Sequence, residues 1–235
     1  MSEVTSVYVT GNTGRMGKEI THSANSSNEF AVADSNQFDV MIDFTAPEAT
    51  LSHLETCQQA GKAIVIGTTG FTTEQLDKIK NYSQDIPIVL AANTSRGIQL
   101  CVEMLEKLTH AVGEEADIEI IEAHHRHKKD APSGTALKLG DAVAKSLGAE
   151  LQDIASFERH GISETGRDKK IGFSVIRAGD IVGEHTTLFT LPGERIEIKH
   201  IATSRKTFAE GALAAAKWLK NQKPGLYSMK DVLEG

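Results

Sequence analysis

Three imidazoles and three fixed cations fall within one short stretch, Glu122-Ala123-His124-His125-Arg126-His127-Lys128-Lys129-Asp130-Ala131-Pro132-Ser133-Gly134-Thr135-Ala136. Histidine titrates near neutral pH and can give or take a proton. Pro132-Ser133-Gly134-Thr135 then leads into a helix predicted over 134–147, in which Ala136, Leu139, Val143 and Leu147 keep helical spacing. Free amides at such a helix start form an anion site. Cations beside it suit a carboxylate or phosphate, and two such groups suit a dicarboxylate. The plain alternative is a solvated His-rich loop. A zinc site is a further alternative, and here it is disfavoured. Neighbouring histidines on an extended segment point in different directions, the adjacent cations repel a metal ion, and no cysteine or H-E-x-x-H companion is present. No metal is expected.

A second group of residues can hold a ligand through backbone atoms. Gly11-Asn12-Thr13-Gly14-Arg15-Met16-Gly17 follows the apolar run Val7-Tyr8-Val9 and opens a helical stretch from about Arg15. Glycines there allow a tight turn and close approach to a pyrophosphate, which the helix N-terminus attracts. The spacing is G-x-x-G-x-x-G rather than the commoner G-x-G-x-x-G. Asp34, about twenty positions on, can accept hydrogen bonds from the adenosine ribose. Gly67-Thr68-Thr69-Gly70 and Ala91-Ala92-Asn93-Thr94 end two later strands, and both would face the nicotinamide half of a dinucleotide. Taken singly, these segments also read as a flexible loop and two ordinary strand-end turns. Their shared position at the carboxyl ends of strands favours cofactor contact.

The elements that must carry these residues are legible in outline. Phe30–Ala33, Val40–Ile42, Ala63–Ile66 and Ile86–Leu90 are short apolar runs that alternate with helical segments. Pro47 suits the first turn of a helix to about Ala60, and Thr72 or Thr73 can cap the next, with Glu74 in its first turn. This pattern predicts a Rossmann-like, doubly wound parallel sheet covered on both faces. Beyond about Arg96 the pattern changes. A helix is predicted over 98–112, a strand over 117–122 and the helix over 134–147. A strand-rich stretch follows over 173–201, and an Ala-rich helix over 207–219. Strands without intervening helices predict a second, α+β domain with a mixed or antiparallel sheet.

Composition removes some functions. The formal net charge is -7 over 235 residues, which argues against a nucleic-acid or membrane-surface binder. The two cysteines, Cys57 and Cys101, are in no metal or redox spacing and read as small buried apolar residues. That usage fits a reducing cytoplasm. No signal peptide is visible, and no run is apolar enough to span a bilayer.

The segment Glu122–Ala136 resembles the signature of the dihydrodipicolinate reductase family. The resemblance extends to Gly11–Gly17, Asp43-Phe44-Thr45, Gly67–Phe71, Ala91–Asn93, Arg177–Thr186 and Ser204-Arg205, so it spans nearly the whole chain. It implies an enzyme that uses NADH or NADPH to reduce a cyclic, conjugated dicarboxylate to tetrahydrodipicolinate in lysine and diaminopimelate synthesis. Hydride goes to ring C4 and a proton then to C3. By position, His124 matches the family's general acid and Lys128 a second proton donor that also neutralises the substrate. His125 contacts the substrate, and Gly134 and Thr135 bind a carboxylate. The resemblance further implies a discontinuous dinucleotide-binding domain (1–95 with 205–235) and a substrate-binding domain (96–204). The second domain would form a homotetramer through its sheet, and domain closure over both ligands would exclude water. Arg177–Thr186 would be mainly structural and interfacial.

The chain departs from the family in three places. Many relatives carry a longer insert between the second strand and the strand at 39–43. Many also place an arginine after the ribose-binding acid, where this chain has Ser35 and Asn36. Asp34 without that cation predicts a preference for NADH, although Arg15 could supply a cation from the glycine loop. Thr94 stands where relatives often have phenylalanine. The competing functions are another two-domain NAD(P)-dependent dehydrogenase and a nonenzymatic NAD(P)-sensing regulator. Neither needs a His-rich run feeding a Ser-Gly-Thr helix start.

Overall fold

The structure is a computed structural model that describes residues 4–162, 166 and 168–235. In chain order its elements are β1 (Thr5–Thr10), α1 (Arg15–Asn25), β2 (Phe30–Val32), β3 (Val40–Asp43), α2 (Pro47–Ala60), β4 (Ala63–Ile66), α3 (Thr73–Tyr82) and β5 (Pro87–Leu90). There follow α4 (Arg96–Val112), β6 (Asp117–His124), α5 (Gly134–Ser146), α6 (Leu151–Ile154), β7 (Ala155–Ser156), β8 (Ile171–Arg177), β9 (Gly183–Leu191) and β10 (Glu194–Ala202). The chain ends with α7 (Lys206–Leu219), β11 (Gly225–Tyr227) and α8 (Met229–Glu234). Contacts divide it into two compact units, one running to Arg96 and resuming at Arg205–Gly235, the other Gly97–Ser204.

The first unit is the expected doubly wound sheet. All its strand pairs are parallel, in the order β2-β1-β3-β4-β5-β11. The order reverses between β1 and β3. Ligands of such sheets bind outside the carboxyl ends at that switch point. Every residue of β3 and β4 is buried, as strands covered on both faces must be. On one face Val7, Val9, Val40, Ile42 and Val65 pack with Ile20 of α1 and the alanines of α7. On the other, Met41, Ile64, Ile66 and Ile88 pack with Leu54 and Cys57 of α2 and Ile79 of α3. Pro47 opens α2, and Gly61 ends it in the left-handed region at φ +62°. Thr72 caps α3 in a capping box with Gln75.

The second unit is an α+β arrangement with a mixed sheet ordered β10-β9-β6-β8-β7. β6 and β8 run parallel, while β9 is antiparallel to both β6 and β10. Ile118, Ile120, Phe173 and Phe189 form one face, packed against Val102 and Leu105 of α4 and Leu139 and Val143 of α5. Ile176 and Ile201 belong to the opposite face and are 47% and 49% exposed.

Three local features differ from the sequence reading. The edge strand β11 and the capped α8 follow the Ala-rich helix, where the composition carries no strand signal. The second strand is only three residues long, with Ala33 and Asp34 lying beyond it. Cys101 is half-buried on α4 rather than in the core, whereas Cys57 is fully buried. Burial raises both thiol pKa values, that of Cys57 to about 12 with the Asp43 charge adding to the effect.

Candidate functional site

His124 is the last residue of β6, and Glu122 lies two residues before it on the same face of the strand. Glu122 is 1% exposed, so its carboxylate must find partners inside the protein. It finds three. Nδ1 of His124 lies 2.6 Å from Oε2, and Arg177 on β8 donates Nη1 to Oε2 and Nη2 to Oε1, each at 2.7 Å. The backbone N–H of Ser133 donates to Oε1 at 2.9 Å. Burial alone would raise the Glu122 pKa. The hydrogen bonds from His124, Arg177 and Ser133 outweigh it and hold the carboxyl at about 2.

Ser133 connects this cluster to the anion-binding helix start. Its side chain caps α5 by accepting the N–H of Ala136 at 3.2 Å. The same oxygen lies 3.1 Å from Nε2 of His185 on β9. The His185 and His124 rings meet edge-on with centroids 5.1 Å apart. Burial, followed by the charge of His124, pushes the His185 pKa down to about 3. Beyond the cap, Gly134 is exposed and Thr135 is buried in the first turn of α5. Lys128 pairs with Asp130 at 2.9 Å. The half-buried His125 has its ring 6.3 Å from that of His127. An imidazole held by a carboxylate, a lysine and a capped helix start thus lie within one sheet end and the loop that follows it.

The sequence assigns roles to His124, His125, Lys128, Gly134 and Thr135 and none to Glu122, Arg177 or His185. Arg177–Thr186 reads from the sequence as mainly structural and interfacial, and two of its side chains, Arg177 and His185, hold the carboxylate partner of His124 and the α5 cap. Strand register explains this, because Arg177 pairs with His124 and His185 pairs with Glu122. Among the described residues, no group of three or more His, Cys, Asp or Glu side chains is placed to hold a metal ion.

The second cluster lies in the first unit, at the carboxyl ends of β1, β3, β4 and β5. Gly11 turns the chain at φ +63°. A Cβ on Gly17 would sit 2.3 Å from the Gly11 carbonyl oxygen, so only glycine lets α1 start this close to the loop. No side chain caps α1 and no acid occupies its first turn, which keeps its N-terminus available to an anion. Asn12, Thr13 and Arg15 are exposed around it, with Met16 half-buried. These features fit the pyrophosphate of a dinucleotide.

Asp43, fully buried at the end of β3, ties these loops together. It accepts hydrogen bonds from the hydroxyls of Thr10 at 2.8 Å, Thr45 at 2.6 Å and Thr50. Thr68 donates more weakly at 3.4 Å and itself accepts the Thr45 N–H at 3.0 Å. Burial raises the Asp43 pKa, but the His53 ring and the threonine hydroxyls bring it below the usual carboxylate range. The Phe44 ring lies across Gly67, where a Cβ would come within 2.2 Å of it, and Thr69 is exposed beyond. Ala91 and Ala92 lead to Asn93, whose side chain accepts the Ser95 N–H at 2.8 Å. Thr94 is fully buried, and its hydroxyl donates to the Phe208 carbonyl of α7. Asp34 stands exposed just beyond β2. A cleft of about 830 Å³ between α1 and α7 has Glu19, His22, Lys206 and Trp218 in its walls. The glycine loop contributes nothing to that cleft, and the residues of the Lys217–Glu29 and Lys206–Glu210 ion pairs lie in its lining.

Residues 97–233 match the family described as Dihydrodipicolinate reductase, C-terminus, and residues 31–94 match Dihydrodipicolinate reductase, N-terminus. A relative from Methylococcus capsulatus named 4-hydroxy-tetrahydrodipicolinate reductase is 57% identical over 199 residues, covering 85% of this chain and 74% of that protein. A dipicolinate-bound dihydrodipicolinate reductase from Paenisporosarcina sp. TG-14 superposes with a TM-score of 0.72 at 25% identity, over 96% of this chain and 97% of the other. A probable dehydrogenase from Thermotoga maritima shares the fold alone, with a TM-score of 0.59 at 10% identity over 97% of this chain and 92% of its own. The chain belongs to the dihydrodipicolinate reductase family.

Proposed function

We propose that this chain is an NAD(P)H-dependent 4-hydroxy-tetrahydrodipicolinate reductase, which reduces a cyclic dicarboxylate to tetrahydrodipicolinate in diaminopimelate and lysine synthesis. The observation that carries this reading is the sequence of groups at the end of β6. There His124, held by a buried carboxylate, is followed by Lys128 and by the Ser133-capped start of α5.

When bound, the reduced nicotinamide supplies a hydride to ring C4 of the substrate. The chain's residues supply the rest. The N–H groups of Gly134 and Thr135 bind one carboxylate at the positive end of α5. Lys128 lies beside that carboxylate, offsets its charge and serves as a second proton donor. His125 contacts the substrate. Hydride addition leaves an electron pair on the ring, and His124 delivers the proton that C3 takes up. In the first unit, Gly11–Met16 cradle the pyrophosphate and Asp34 accepts from the ribose. Gly67–Thr69 and Ala91–Thr94 line the nicotinamide, with Thr94 contributing backbone because its hydroxyl is committed to α7.

The test is oxidation of the reduced cofactor with substrate generated in place by a dihydrodipicolinate synthase from pyruvate and aspartate semialdehyde. Turnover should depend on the synthase. His124→Ala should lower it roughly a hundred- to ten-thousandfold. A folded protein that binds NADH but turns over nothing would instead be another dehydrogenase or a sensor.

Three finer readings accompany this one. NADH is preferred over NADPH, because Asp34 repels a 2′-phosphate and Ser35 and Asn36 offer no cation. Higher catalytic efficiency with NADPH would overturn that. The protein works in the cytoplasm, in line with two unpaired cysteines, and no helix among the described residues is long and apolar enough to cross a membrane. It assembles as a homotetramer through the open face of the second sheet, where Ile176 and Ile201 are half-exposed. Light scattering on a sizing column that gave a monomer would reject the assembly.

A further inference from the structure

We infer that Glu122 is a positioning residue that acts through His124, holding the Nδ1 hydrogen so that Nε2 is the nitrogen that carries the transferable proton. This inference rests on the reading of His124 as proton donor.

A carboxylate has room for about four donors, two on each oxygen. Glu122 has all four: His124 and Arg177 on Oε2, Arg177 and Ser133 on Oε1. The Arg177 and Ser133 groups can only donate, so the carboxylate is ionised and only accepts. Nδ1 of His124, 2.6 Å away, must therefore carry hydrogen. In the charged ring both nitrogens are protonated, and Nε2 faces away from Glu122. When Nε2 releases its proton to the substrate carbon, the ring becomes neutral and keeps its Nδ1 hydrogen on Glu122. Solvent then restores the Nε2 proton. Without the carboxylate, nothing in the site selects this tautomer over the other, and the ring can turn.

Two contacts of its partners make Glu122 a rigid reference point. Arg177 also donates Nη2 to the Asp130 carbonyl at 2.6 Å, so the same guanidinium ties the carboxylate to the loop that bears Lys128. The Ser133 N–H ties it to the α5 cap. One carboxylate thus sets the ring, the lysine loop and the carboxylate-binding helix start in a common frame. On the Nε2 side, Gly183 of β9 contributes no side chain, and a Cβ there would lie 3.1 Å from Nε2.

The test is a double-mutant cycle in the coupled assay. Glu122→Gln keeps the size but replaces an acceptor with an NH2 that faces donors. It should lower kcat on the order of a hundredfold, as loss of alignment can, while KM for the nicotinamide cofactor stays unchanged. Glu122→Gln should then cost little further in the His124→Ala background, because Glu122 acts only through the ring that this background lacks. Costs that simply multiply would overturn the inference and leave His124 as the proton donor. Full turnover in His124→Ala would overturn both, and the single variant tells the two failures apart. A measurement on the unmutated protein covers the case in which Glu122→Gln does not fold. Nitrogen-15 NMR of histidine-labelled protein, with His124→Asn to identify the signal, should show His124 protonated at Nδ1 in its neutral form. A neutral ring protonated only at Nε2 would overturn the inference.

Discussion

The Ser133 hydroxyl lies 3.1 Å from Nε2 of His185, so the residue that caps α5 is braced from a strand 52 positions away in the chain. His185 is 4% exposed, and its Nδ1 has no hydrogen-bond partner. A second charge-bearing N–H has no place there. The ring therefore stays neutral in the folded protein down to about pH 3, against 6.5 for an ordinary histidine.

That difference fixes a pH dependence. Below pH 6.5 the unfolded chain takes up a proton that the folded chain refuses until about pH 3. The stability contributed by neutral His185 is therefore complete above 6.5 and is lost as pH falls through this window, by about 1.4 kcal/mol per pH unit. Glu122 acts lower, its contribution being lost between pH 4.5 and about 2. Urea midpoints measured from neutral pH down to pH 4.5 should fall in the wild type and fall less in His185→Gln. Equal slopes would show that His185 is not the group responsible.

Gly183→Ala should slow turnover roughly tenfold with cofactor affinity unchanged. The added Cβ comes within 3.1 Å of His124 Nε2, close enough to push the ring but not enough to break the strand. Overpacking of this kind costs about 1–3 kcal/mol. Steady-state kinetics with a parallel NADH titration separates the two effects, and an unchanged kcat would show that Nε2 does not face this gap.

Gly17→Ala should weaken NADH binding by at least about tenfold, equivalent to about 1.4 kcal/mol. Its Cβ would meet the Gly11 carbonyl oxygen at 2.3 Å and Asn12 Cα at 2.7 Å, and neither backbone atom can withdraw without opening the loop. Nicotinamide fluorescence measures the affinity. Binding as tight as in the wild type would mean that the loop has another purpose.

Asp43→Ala should lower stability by about 3 kcal/mol. It removes the acceptor shared by the Thr10, Thr45 and Thr50 hydroxyls, leaving Thr10 and Thr50 only their longer bonds to the Ile42 and Ala46 carbonyls, and an unsatisfied buried group costs about 1–3 kcal/mol. Urea unfolding gives the change directly. A loss below 1 kcal/mol would indicate that water enters and satisfies the threonines.

Ser35→Arg should shift the ratio of efficiencies toward NADPH, since it places a cation next to Asp34 at the end of β2. Initial rates with the two coenzymes side by side decide it. An unchanged ratio would place the coenzyme choice elsewhere in the glycine loop.

Much of this protein was legible in its sequence because the deciding physics is local. The apolar runs at 40–42 and 63–66, the Pro47 start, the Thr72 cap and the glycine loop each follow from the backbone needs of a few adjacent residues. The His-rich run stood out because charge of one sign gathered in an acidic chain. Three-residue strands are different. β11 exists because the edge of β5 offers it partners at Pro87, Ile88 and Val89, and Gly225-Leu226-Tyr227 carries no periodicity of its own. The strand order β2-β1-β3, which sets the switch point, is likewise a property of packing.

At the histidine cluster the division is sharper. The sequence by itself determined that His124, Lys128 and a capped helix start would lie close together, since one short segment contains them all. Only the tertiary structure decided which of three histidines is held by a carboxylate. Arg177, Gly183 and His185 reach the cluster through the register of β8 and β9 against β6, which pairs Arg177 with His124 and His185 with Glu122. Register is fixed by the shared core beneath the strands, where Ile118, Ile120, Phe173 and Phe189 must all face α4 and α5. A shift of one residue would turn those side chains to the open face and take Glu122 away from His185. The core thus determines the partners of His124.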